Sequence, residues 1–433
     1  MKVLVMTHFS KAALEVSLGM LSSMSKLGNS DVIIASLNAG HEVEQYLASQ
    51  ENYKYILADE NDSYGMVLNA VIGEFLDKDE SLAIISEGTA LFPDALDVAE
   101  GCILEKGVGA IVFDKCYADD GGYAELMNSH EKKNRLSALV GWGEEGLVLS
   151  GKMISENGTF DESYFNPRNV LVDYLFSAGQ KGYKFYKSSD CVEYVFYKIP
   201  NDRNVYLKEM TIRDKWGMNY FTYKPNEILM NIIPLDYIGE INVLEVGCDC
   251  GGNGAGVKEK YPDCHLYGLE LNPNSAKIAA TIYDEVIVGN AEEMDLPFDD
   301  VSFDIVIFGD VLEHLRDPLG MLKKCHARMN KGGVVITSIP NLMHYTVMRQ
   351  LINGHFQYES DGLLDRTHIH FFTAYEILNM FGEAGFEVEE ALSTVVGSPS
   401  EEEDKMIETL LTLSTNTNRV MYETFQYNVR ARK

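Results

Sequence analysis

VLEVGCDCG, at residues 243–251, decides the fold of the second half of the chain. An apolar strand is expected to end near Glu245, after which Gly247 and Gly251 allow the backbone to turn tightly and approach a ligand. The next strand-like run, LYGLE at residues 266–270, ends in an acid 23 positions after Gly247. A nucleotide-binding βαβ unit carries its ribose-binding carboxylate at that distance. The two runs therefore predict a parallel α/β domain with a nucleotide-like ligand at its strand ends.

Both halves of the chain alternate strand patterns with helical patterns, which is typical of α/β domains with parallel sheets. The first half predicts strands at 2–7, 32–37, 53–57, 82–86 and 109–113, and helices at 12–26, 43–49, 64–76 and 93–106. The second half predicts strands at 242–247, 265–270, 285–289, 303–309, 333–340 and 386–393, and helices at 254–260, 273–283, 318–328 and 374–383. A late helix capped near residue 400 and a final strand at 421–430 follow. We expect two domains, 1–205 and 206–433.

The composition is that of a globular protein and excludes some partners. Hydrophobic residues make up 46% and charged residues 24% of the chain, whose net charge is −30. A nucleic-acid binder needs a basic surface to replace counterions along the phosphates, so neither DNA nor RNA is expected as a partner. No apolar run reaches the roughly 18 residues of a membrane span, and the first residues lack the pattern of a signal peptide. We therefore expect a cytoplasmic protein without a membrane span.

The chain has seven cysteines, an odd number that indicates reduced thiols rather than a disulfide framework. A zinc site at Cys248, Cys250 and Cys264 is disfavoured, because the first two lack the usual spacing and no fourth ligand is near. No metal-ligand triad with plausible spacing is apparent elsewhere. The sequence predicts chemistry without a metal.

The order of motifs in residues 216–393 resembles the class I S-adenosylmethionine-dependent methyltransferases, especially the branch acting on small molecules and sugars. GNAE at 289–292, GDVLEHL at 309–315 and FGEAGF at 381–386 follow the glycine turn in that family's order. The resemblance implies a Rossmann-like fold and S-adenosylmethionine as cofactor. It implies that Glu245 and Gly247 border the methionine part, that Glu270 holds the ribose hydroxyls and that the loop at 289–292 lies beside adenine. The full set of cofactor-binding residues that it implies is Glu245, Gly247, Gly251, Glu270, Asn290, Ala291 and Asp310.

Asp249 departs from that family's pattern, which has glycine at this position of the turn. Aspartate tolerates unusual backbone angles better than most residues, so the turn can persist, although a carboxylate there can disturb or tune donor binding. The alternative is a Rossmann-like domain that binds NAD or nothing. NAD is disfavoured, because its pyrophosphate prefers a Gly-x-Gly-x-x-Gly turn without an added acid.

Polar and aromatic residues at 340–344, 354–358 and 362–373 are expected at the carboxyl side of the sheet, where α/β enzymes bind ligands. The last segment resembles a stretch of methyltransferase domains attached to glycosyltransferases. An alcohol acceptor must lose its proton during attack, and a histidine with a near-neutral pKa suits that step. His314 and His368 are the candidate catalytic bases. His344, Arg366 and His370 are candidate substrate-binding residues.

Residues 1–200 resemble the family 2 glycosyltransferases, which implies a GT-A fold. The resemblance is distributed over GMVLN at 65–69, AIISEG at 83–88, LFPDAL at 91–96, NGTFDESYF at 157–165 and KGYKF at 181–185. The family's metal-binding Asp-x-Asp is replaced by Ser86 and Gly88, and its Glu-Asp pair by Val170 and Leu171, with Asp173 retained. Without metal ligands or base, sugar transfer loses charge neutralisation and deprotonation, so an inactive domain is predicted.

These features predict an O-methyltransferase that uses S-adenosylmethionine to modify a sugar, a sugar nucleotide or a surface glycan. The glycosyltransferase-like domain then serves for binding or scaffolding. One alternative is a bifunctional enzyme that also transfers sugar. Another is a non-enzymatic scaffold for glycan assembly in which Asp249 blocks the donor. The oligomeric state is left open, with a homo-oligomer as one form.

Overall fold

The computed structural model describes residues 1–7, 10–24, 26–37, 40–50, 52–59, 61–117, 135–196, 211–218 and 220–433. The chain divides into two compact units, Met1–Phe221 and Thr222–Lys433. The boundary predicted between residues 205 and 206 lies outside the described residues. No helix in the described part of the chain is both long and apolar enough to cross a membrane.

The first unit is an α/β domain. Its strands are β1 (Lys2–Thr7), β2 (Val32–Leu37), β3 (Lys54–Ala58), β4 (Leu82–Ser86), β5 (Thr89–Leu91), β6 (Val108–Tyr117), β7 (Leu136–Leu139), β8 (Leu147–Leu149) and β9 (Lys184–Val195). Its helices are Lys11–Ser22, His41–Ala48, Tyr64–Phe75, Ala95–Ile103, Gly151–Asn157, Pro167–Gln180 and Ile212–Trp216, with a 3₁₀ turn at Asn29–Asp31.

The sheet of this unit is mixed, which corrects the prediction of a parallel layer. Strands β3, β2, β1 and β4 are parallel neighbours. Strand β8 then pairs antiparallel with both β4 and β6, while β9 runs parallel to β6 and antiparallel to β5 and β7. Strands β5, β7 and β8 were not predicted because each has only three or four residues, too few to show a periodicity. The twelve-residue strand β9 was not predicted either.

The second unit is also an α/β domain. Its strands are β10 (Asn242–Val246), β11 (His265–Glu270), β12 (Glu285–Val288), β13 (Phe303–Gly309), β14 (Met329–Pro340), β15 (Glu387–Val395) and β16 (Thr424–Arg432). Its helices are Glu227–Asn231, Gly252–Lys260, Pro273–Ala279, Pro318–Arg328, Tyr345–Ile352, Ala374–Glu383, Glu401–Leu413 and Arg419–Glu423, with a 3₁₀ turn at Leu312–His314. Ser400 caps the late helix as predicted, since its side chain accepts from the N–H of Glu403.

The sheet of the second unit has the order β12-β11-β10-β13-β14-β16-β15. Strands β10 to β14 are parallel, whereas β15 and β16 pair antiparallel at one end. The chain moves from β10 outward to β11 and β12 and then returns to the opposite side of β10 with β13. Ligands of open α/β sheets bind where the strand order reverses in this way, outside the carboxyl ends of the strands.

The central strands of this sheet are mostly apolar because helices cover both faces. Phe303 and Phe308 on β13 are fully buried and pack in a core with Leu322 and Phe381 from two helices. Asparagine or aspartate caps the helices that begin at Pro273 and Pro318, where proline fixes the first helical residue. This core holds the ends of β10, β11, β13 and β14 at one place, called here the carboxyl edge (Val246, Glu270, Gly309 and Pro340).

Candidate functional site

The turn after β10 follows the form that its glycines predict. Gly247 and Gly251 have φ values of +74° and +91°, in the left-handed region that glycine adopts without steric cost. A Cβ atom at Gly247 would lie 2.6 Å from Cγ2 of Val311, and one at Gly252 would lie 2.4 Å from the carbonyl oxygen of Lys224. The turn therefore needs glycine for close backbone approach as well as for its angles.

Asp249 fits the same turn without glycine. Its φ of +42° is one that aspartate adopts more readily than most residues. Its Oδ2 atom accepts a hydrogen bond of 2.5 Å from the backbone N–H of Thr222, and its own N–H donates to Glu270 at 2.8 Å. The carboxylate is thus held by the segment that enters the second unit. The turn persists, and the side chain has a structural partner.

Substitutions at Asp249 test this account. We expect Asp249→Asn to be nearly neutral, because asparagine keeps both the acceptor and the tolerance of a positive φ. Asp249→Val should lower the free energy of unfolding by about 2–3 kcal/mol, since it loses the acceptor for the Thr222 N–H and strains the turn. Urea unfolding followed by circular dichroism measures both. Equal stability of the two variants would contradict the role assigned to the carboxylate.

Glu245 is buried directly beneath the turn. Its side chain is 2% exposed and accepts hydrogen bonds from Nδ2 of Asn253 at 2.8 Å and from the hydroxyl of Tyr283. Burial raises the pKa of Glu245 to about 7, although these two hydrogen bonds act in the opposite direction. The carboxyl group therefore ties the strand end to the following helix and to Tyr283. Sequence reasoning identified Glu245 but neither of its partners, which come from positions 8 and 38 residues later.

Glu270 lies at the end of β11 with both of its oxygens oriented by the backbone. Oε2 accepts from the N–H of Asp249 at 2.8 Å and Oε1 from the N–H of Asn272 at 2.7 Å. Burial raises the pKa of this carboxyl above its ordinary value. The glycine turn and the acid of the second strand, which were paired from their spacing, are thus brought into direct contact.

Asn290 and Ala291 follow β12 on the far side of Glu270. The N–H of Gly289 donates to the carbonyl of Glu270, which joins the two strand ends. Asn290 is half-buried, and its Oδ1 accepts from the N–H of Glu292 at 3.1 Å; Ala291 is buried. The loop predicted to lie beside adenine is therefore joined to the end of the strand that carries Glu270.

Asp310 follows β13 with a φ of +55°. Its N–H donates to Oγ of Ser338, and its carboxylate accepts from Nε2 of Gln426 on β16. Loss of solvent around the carboxyl group raises the pKa of Asp310 to about 6, although the hydrogen bonds with Ser338 and Gln426 act in the opposite direction. Gln426 was not found from the sequence, because β16 reaches this edge only through antiparallel pairing with β14.

The 3₁₀ turn after Asp310 brings both predicted catalytic histidines together. The rings of His314 and His368 meet edge to face, with centroids 4.8 Å apart. Nε2 of His368 lies 4.0 Å from Oε1 of Glu313, and burial lowers the pKa of both histidines. Glu313 is 1% exposed, and burial with the nearby Asp310 charge raises its pKa well above the ordinary value. Sequence reasoning did not select Glu313, although it precedes His314 directly.

The three predicted substrate-binding residues lie in different surroundings. His344 is 2% exposed, contacts Thr346 and the rings of Tyr345 and Phe425, and has a pKa lowered to about 4 by burial. Arg366 is exposed and bonds only weakly to the carbonyl of Glu359. His370 lies beside the histidine pair, since its N–H donates to the carbonyl of Glu313.

The positions at which the sequence analysis expected altered glycosyltransferase motifs have ordinary packing and hydrogen-bond partners. Ser86 ends β4 and donates to Glu145 at 3.3 Å. Val170 and Leu171 are buried within a helix. Asp173 accepts hydrogen bonds from Nζ of Lys215 at 2.9 Å and from the indole of Trp216 at 2.8 Å.

Comparison with known proteins classifies the second unit. Residues 219–391 match a family described as "Methyltransferase domain". A Mycolicibacterium smegmatis protein named "Probable S-adenosylmethionine-dependent methyltransferase" is 28% identical over 159 residues, which cover 36% of this chain and 56% of that protein. Demethylmenaquinone methyltransferase from Listeria welshimeri is 32% identical over 128 residues, 27% of this chain and 52% of the enzyme. The chain spans about half the length of these curated relatives.

Solved methyltransferase structures are also similar to part of the chain. An S-adenosylmethionine-dependent methyltransferase from Archaeoglobus fulgidus is 21% identical, with a TM-score of 0.32, covering 45% of this chain and 87% of that one. One from Mesorhizobium loti is 17% identical, with a TM-score of 0.33, covering 48% of this chain and 96% of that one. The family match and the named relatives confirm the predictions of a methyltransferase domain in the second unit and of S-adenosylmethionine as its cofactor.

Proposed function

We propose that this protein transfers a methyl group from S-adenosylmethionine to a hydroxyl of a sugar, a sugar nucleotide or a surface glycan. The observation that carries the proposal is the contact between the 247–251 turn and Glu270 at the point where the strand order reverses. Glu313 and His314 follow the neighbouring strand β13, and His368, from the loop before the helix Ala374–Glu383, clusters with them. A donor site and an acceptor site thus adjoin.

The residues of the carboxyl edge fit S-adenosylmethionine. Each oxygen of Glu270 accepts one backbone N–H, so each retains acceptor capacity for a ribose hydroxyl. Asn290 follows Gly289, whose N–H donates to the backbone carbonyl of Glu270, and offers an amide for the adenine. The Asp249 carboxylate is bonded to the Thr222 N–H, which opposes the alternative in which it blocks the donor.

The bound donor supplies an electrophilic methyl group on a sulfonium. The protein holds that group in line with the acceptor oxygen and excludes water, which are the main requirements of methyl transfer. Glu245, through Asn253 and Tyr283, keeps the turn in one conformation. His314 and His368 remain neutral because burial lowers their pKa, so they can accept a proton or bind an electrophile near the acceptor.

The sugar acceptor is inferred from the first unit. That unit is an α/β domain with a mixed sheet, and its resemblance to family 2 glycosyltransferases supports a GT-A fold. Ser86 and Gly88 stand where that family holds its metal, and neither offers a carboxylate. We therefore propose that residues 1–205 bind or present a glycan without transferring sugar, and that the methyltransferase domain comprises residues 206–433.

Methylation assays with tritiated S-adenosylmethionine test this proposal. The full chain is incubated with a panel of nucleoside-diphosphate hexoses and with a demethylmenaquinone analogue, because one relative acts on that quinone. We expect label in a sugar nucleotide, and much less with Glu270→Gln at a donor concentration that does not saturate the variant. Label in the quinone alone would overturn the sugar acceptor. Failure to bind S-adenosylmethionine in calorimetry would overturn the proposed methyl transfer.

A further inference from the structure

Glu313 has an environment that hydrogen bonding in the described part of the chain does not explain. Its side chain is 1% exposed, yet neither carboxylate oxygen has a hydrogen-bond partner among the described residues. Removing an ionised carboxylate from water costs several kcal/mol unless a positive charge or hydrogen bonds compensate. A buried carboxylate of this kind beside two imidazoles indicates a partner that binds from solution.

The two neighbouring histidines supply the atoms that such a partner needs. One potential ligand atom from each of Glu313, His314 and His368 lies within 4.8 Å of the others. Nδ1 of His368 lies 3.3 Å from the carbonyl oxygen of Leu363, and Nδ1 of His314 lies 3.2 Å from that of Thr367. A carbonyl only accepts hydrogen bonds, and the Thr367 hydroxyl, which also lies 3.2 Å from Nδ1 of His314, donates to Asp365. These contacts favour the proton on Nδ1 of each ring and a lone pair on each Nε2. Metal-binding histidines are oriented by this kind of backbone contact.

The backbone holds these three residues in place before any ligand binds. The N–H groups of Ile369 and His370 donate to the carbonyl of Glu313 at 3.0 and 3.1 Å. Asp365 accepts from the N–H of Thr367 at 2.7 Å and so fixes the loop that carries His368. These hydrogen bonds join the 3₁₀ turn to the loop that carries His368. The backbone carbonyl of Glu313 takes part in them, and its carboxylate does not.

We propose that Glu313, His314 and His368 bind a divalent first-row transition-metal ion. One carboxylate and two imidazoles with open positions is a ligand set used by Fe²⁺ and by catalytic Zn²⁺, and imidazole with carboxylate also suits Mn²⁺. Three ligands at tetrahedral positions around such an ion are about 3.4 Å apart, so the side chains, which lie within 4.8 Å of one another, close on the ion by shifts of about 1 Å. This proposal differs from the sequence-based prediction of chemistry without a metal.

The role of the ion rests on the proposed methyl transfer. Three protein ligands leave positions for an acceptor hydroxyl, whose pKa a bound cation lowers. The hydroxyl proton is then released to solvent. The acceptor oxygen forms a bond to the methyl carbon as the carbon–sulfur bond breaks, and sulfur keeps that electron pair and becomes a neutral thioether. An acceptor with two adjacent oxygens, such as a vicinal diol of a sugar, can occupy two open positions.

Mn²⁺ binding tests the site independently of turnover. The full chain is treated with chelator, dialysed and titrated with MnCl₂, and free Mn²⁺ is measured by electron paramagnetic resonance. We expect Glu313→Gln and His314→Gln each to weaken Mn²⁺ binding by at least about 100-fold, because loss of even an outer-shell partner costs 10- to 100-fold. His265→Gln is the matched control, since His265 is a half-exposed histidine beside an acid, Glu240, away from this cluster. It should leave Mn²⁺ binding unchanged.

The outcomes separate the cation site from the methyltransferase proposal. Equal Mn²⁺ affinity in the wild type and in both cluster variants, all folded by circular dichroism, would overturn the site, as would absence of Mn²⁺ binding. If the protein binds S-adenosylmethionine but not Mn²⁺, the methyltransferase proposal stands and the metal site is wrong. If it binds Mn²⁺ but not S-adenosylmethionine, the metal site stands and the methyltransferase proposal is wrong. A Mn²⁺-dependent rise in melting temperature that Glu313→Gln abolishes would further support the site.

Discussion

Replacing Glu270 with glutamine is expected to weaken S-adenosylmethionine binding by about 30- to 100-fold, or 2–3 kcal/mol. The carboxylate is oriented by the N–H groups of Asp249 and Asn272, and its free lone pairs face the position proposed for the ribose. Glutamine keeps the shape, but it loses the charge that strengthens hydrogen bonds from the two ribose hydroxyls. Its amide group must also face one of the two backbone N–H groups.

Isothermal titration calorimetry with S-adenosylmethionine measures this change, and Glu285→Gln is the control. Glu285 is an exposed glutamate at the start of β12, so it is of the same residue type in the same sheet but lies at the opposite end of a strand. Its substitution should leave the affinity unchanged. If Glu270→Gln binds the donor as tightly as Glu285→Gln does, the assignment of Glu270 to the ribose is wrong.

The elements that sequence patterns predicted best are those that a single strong period defines. The predicted strands at 265–270 and 303–309 and the helices at 318–328 and 374–383 have the same bounds in the structure. Helix ends were less reliable. The helix predicted at 273–283 ends at Ala279, because the next residues turn so that Tyr283 can reach Glu245. That contact depends on tertiary packing, which a local pattern does not contain.

In the candidate site too, local patterns predicted some features, while others depend on tertiary packing. Spacing alone paired Gly247 with Glu270, because both follow adjacent parallel strands and such strands align their carboxyl ends. The Glu313 carboxylate was missed because it lies in an apolar run and acquires its meaning only when the loop from 363 to 370 folds against it. Asp249 was recognised as a departure, but its partner, the N–H of Thr222, lies 27 residues earlier and has no side-chain signal.

Gly247→Ala is expected to abolish measurable donor binding and to lower the free energy of unfolding by about 2–4 kcal/mol. Two separate costs contribute. The backbone at φ +74° disfavours any residue with a Cβ atom, and that atom would lie 2.6 Å from Cγ2 of Val311. Val311 cannot move this methyl group freely because its β-branched side chain has few rotamers.

A double-mutant cycle separates these two costs. Val311→Ala removes the methyl group that the new Cβ would meet, so Gly247→Ala should be less harmful in that background by about 1–2 kcal/mol. The backbone cost remains in the double variant, which should therefore stay less stable than Val311→Ala alone. Urea unfolding of the four proteins gives the coupling energy. A coupling near zero would show that the turn moves away from Val311, and that close approach at this position does not determine the conformation of the donor site.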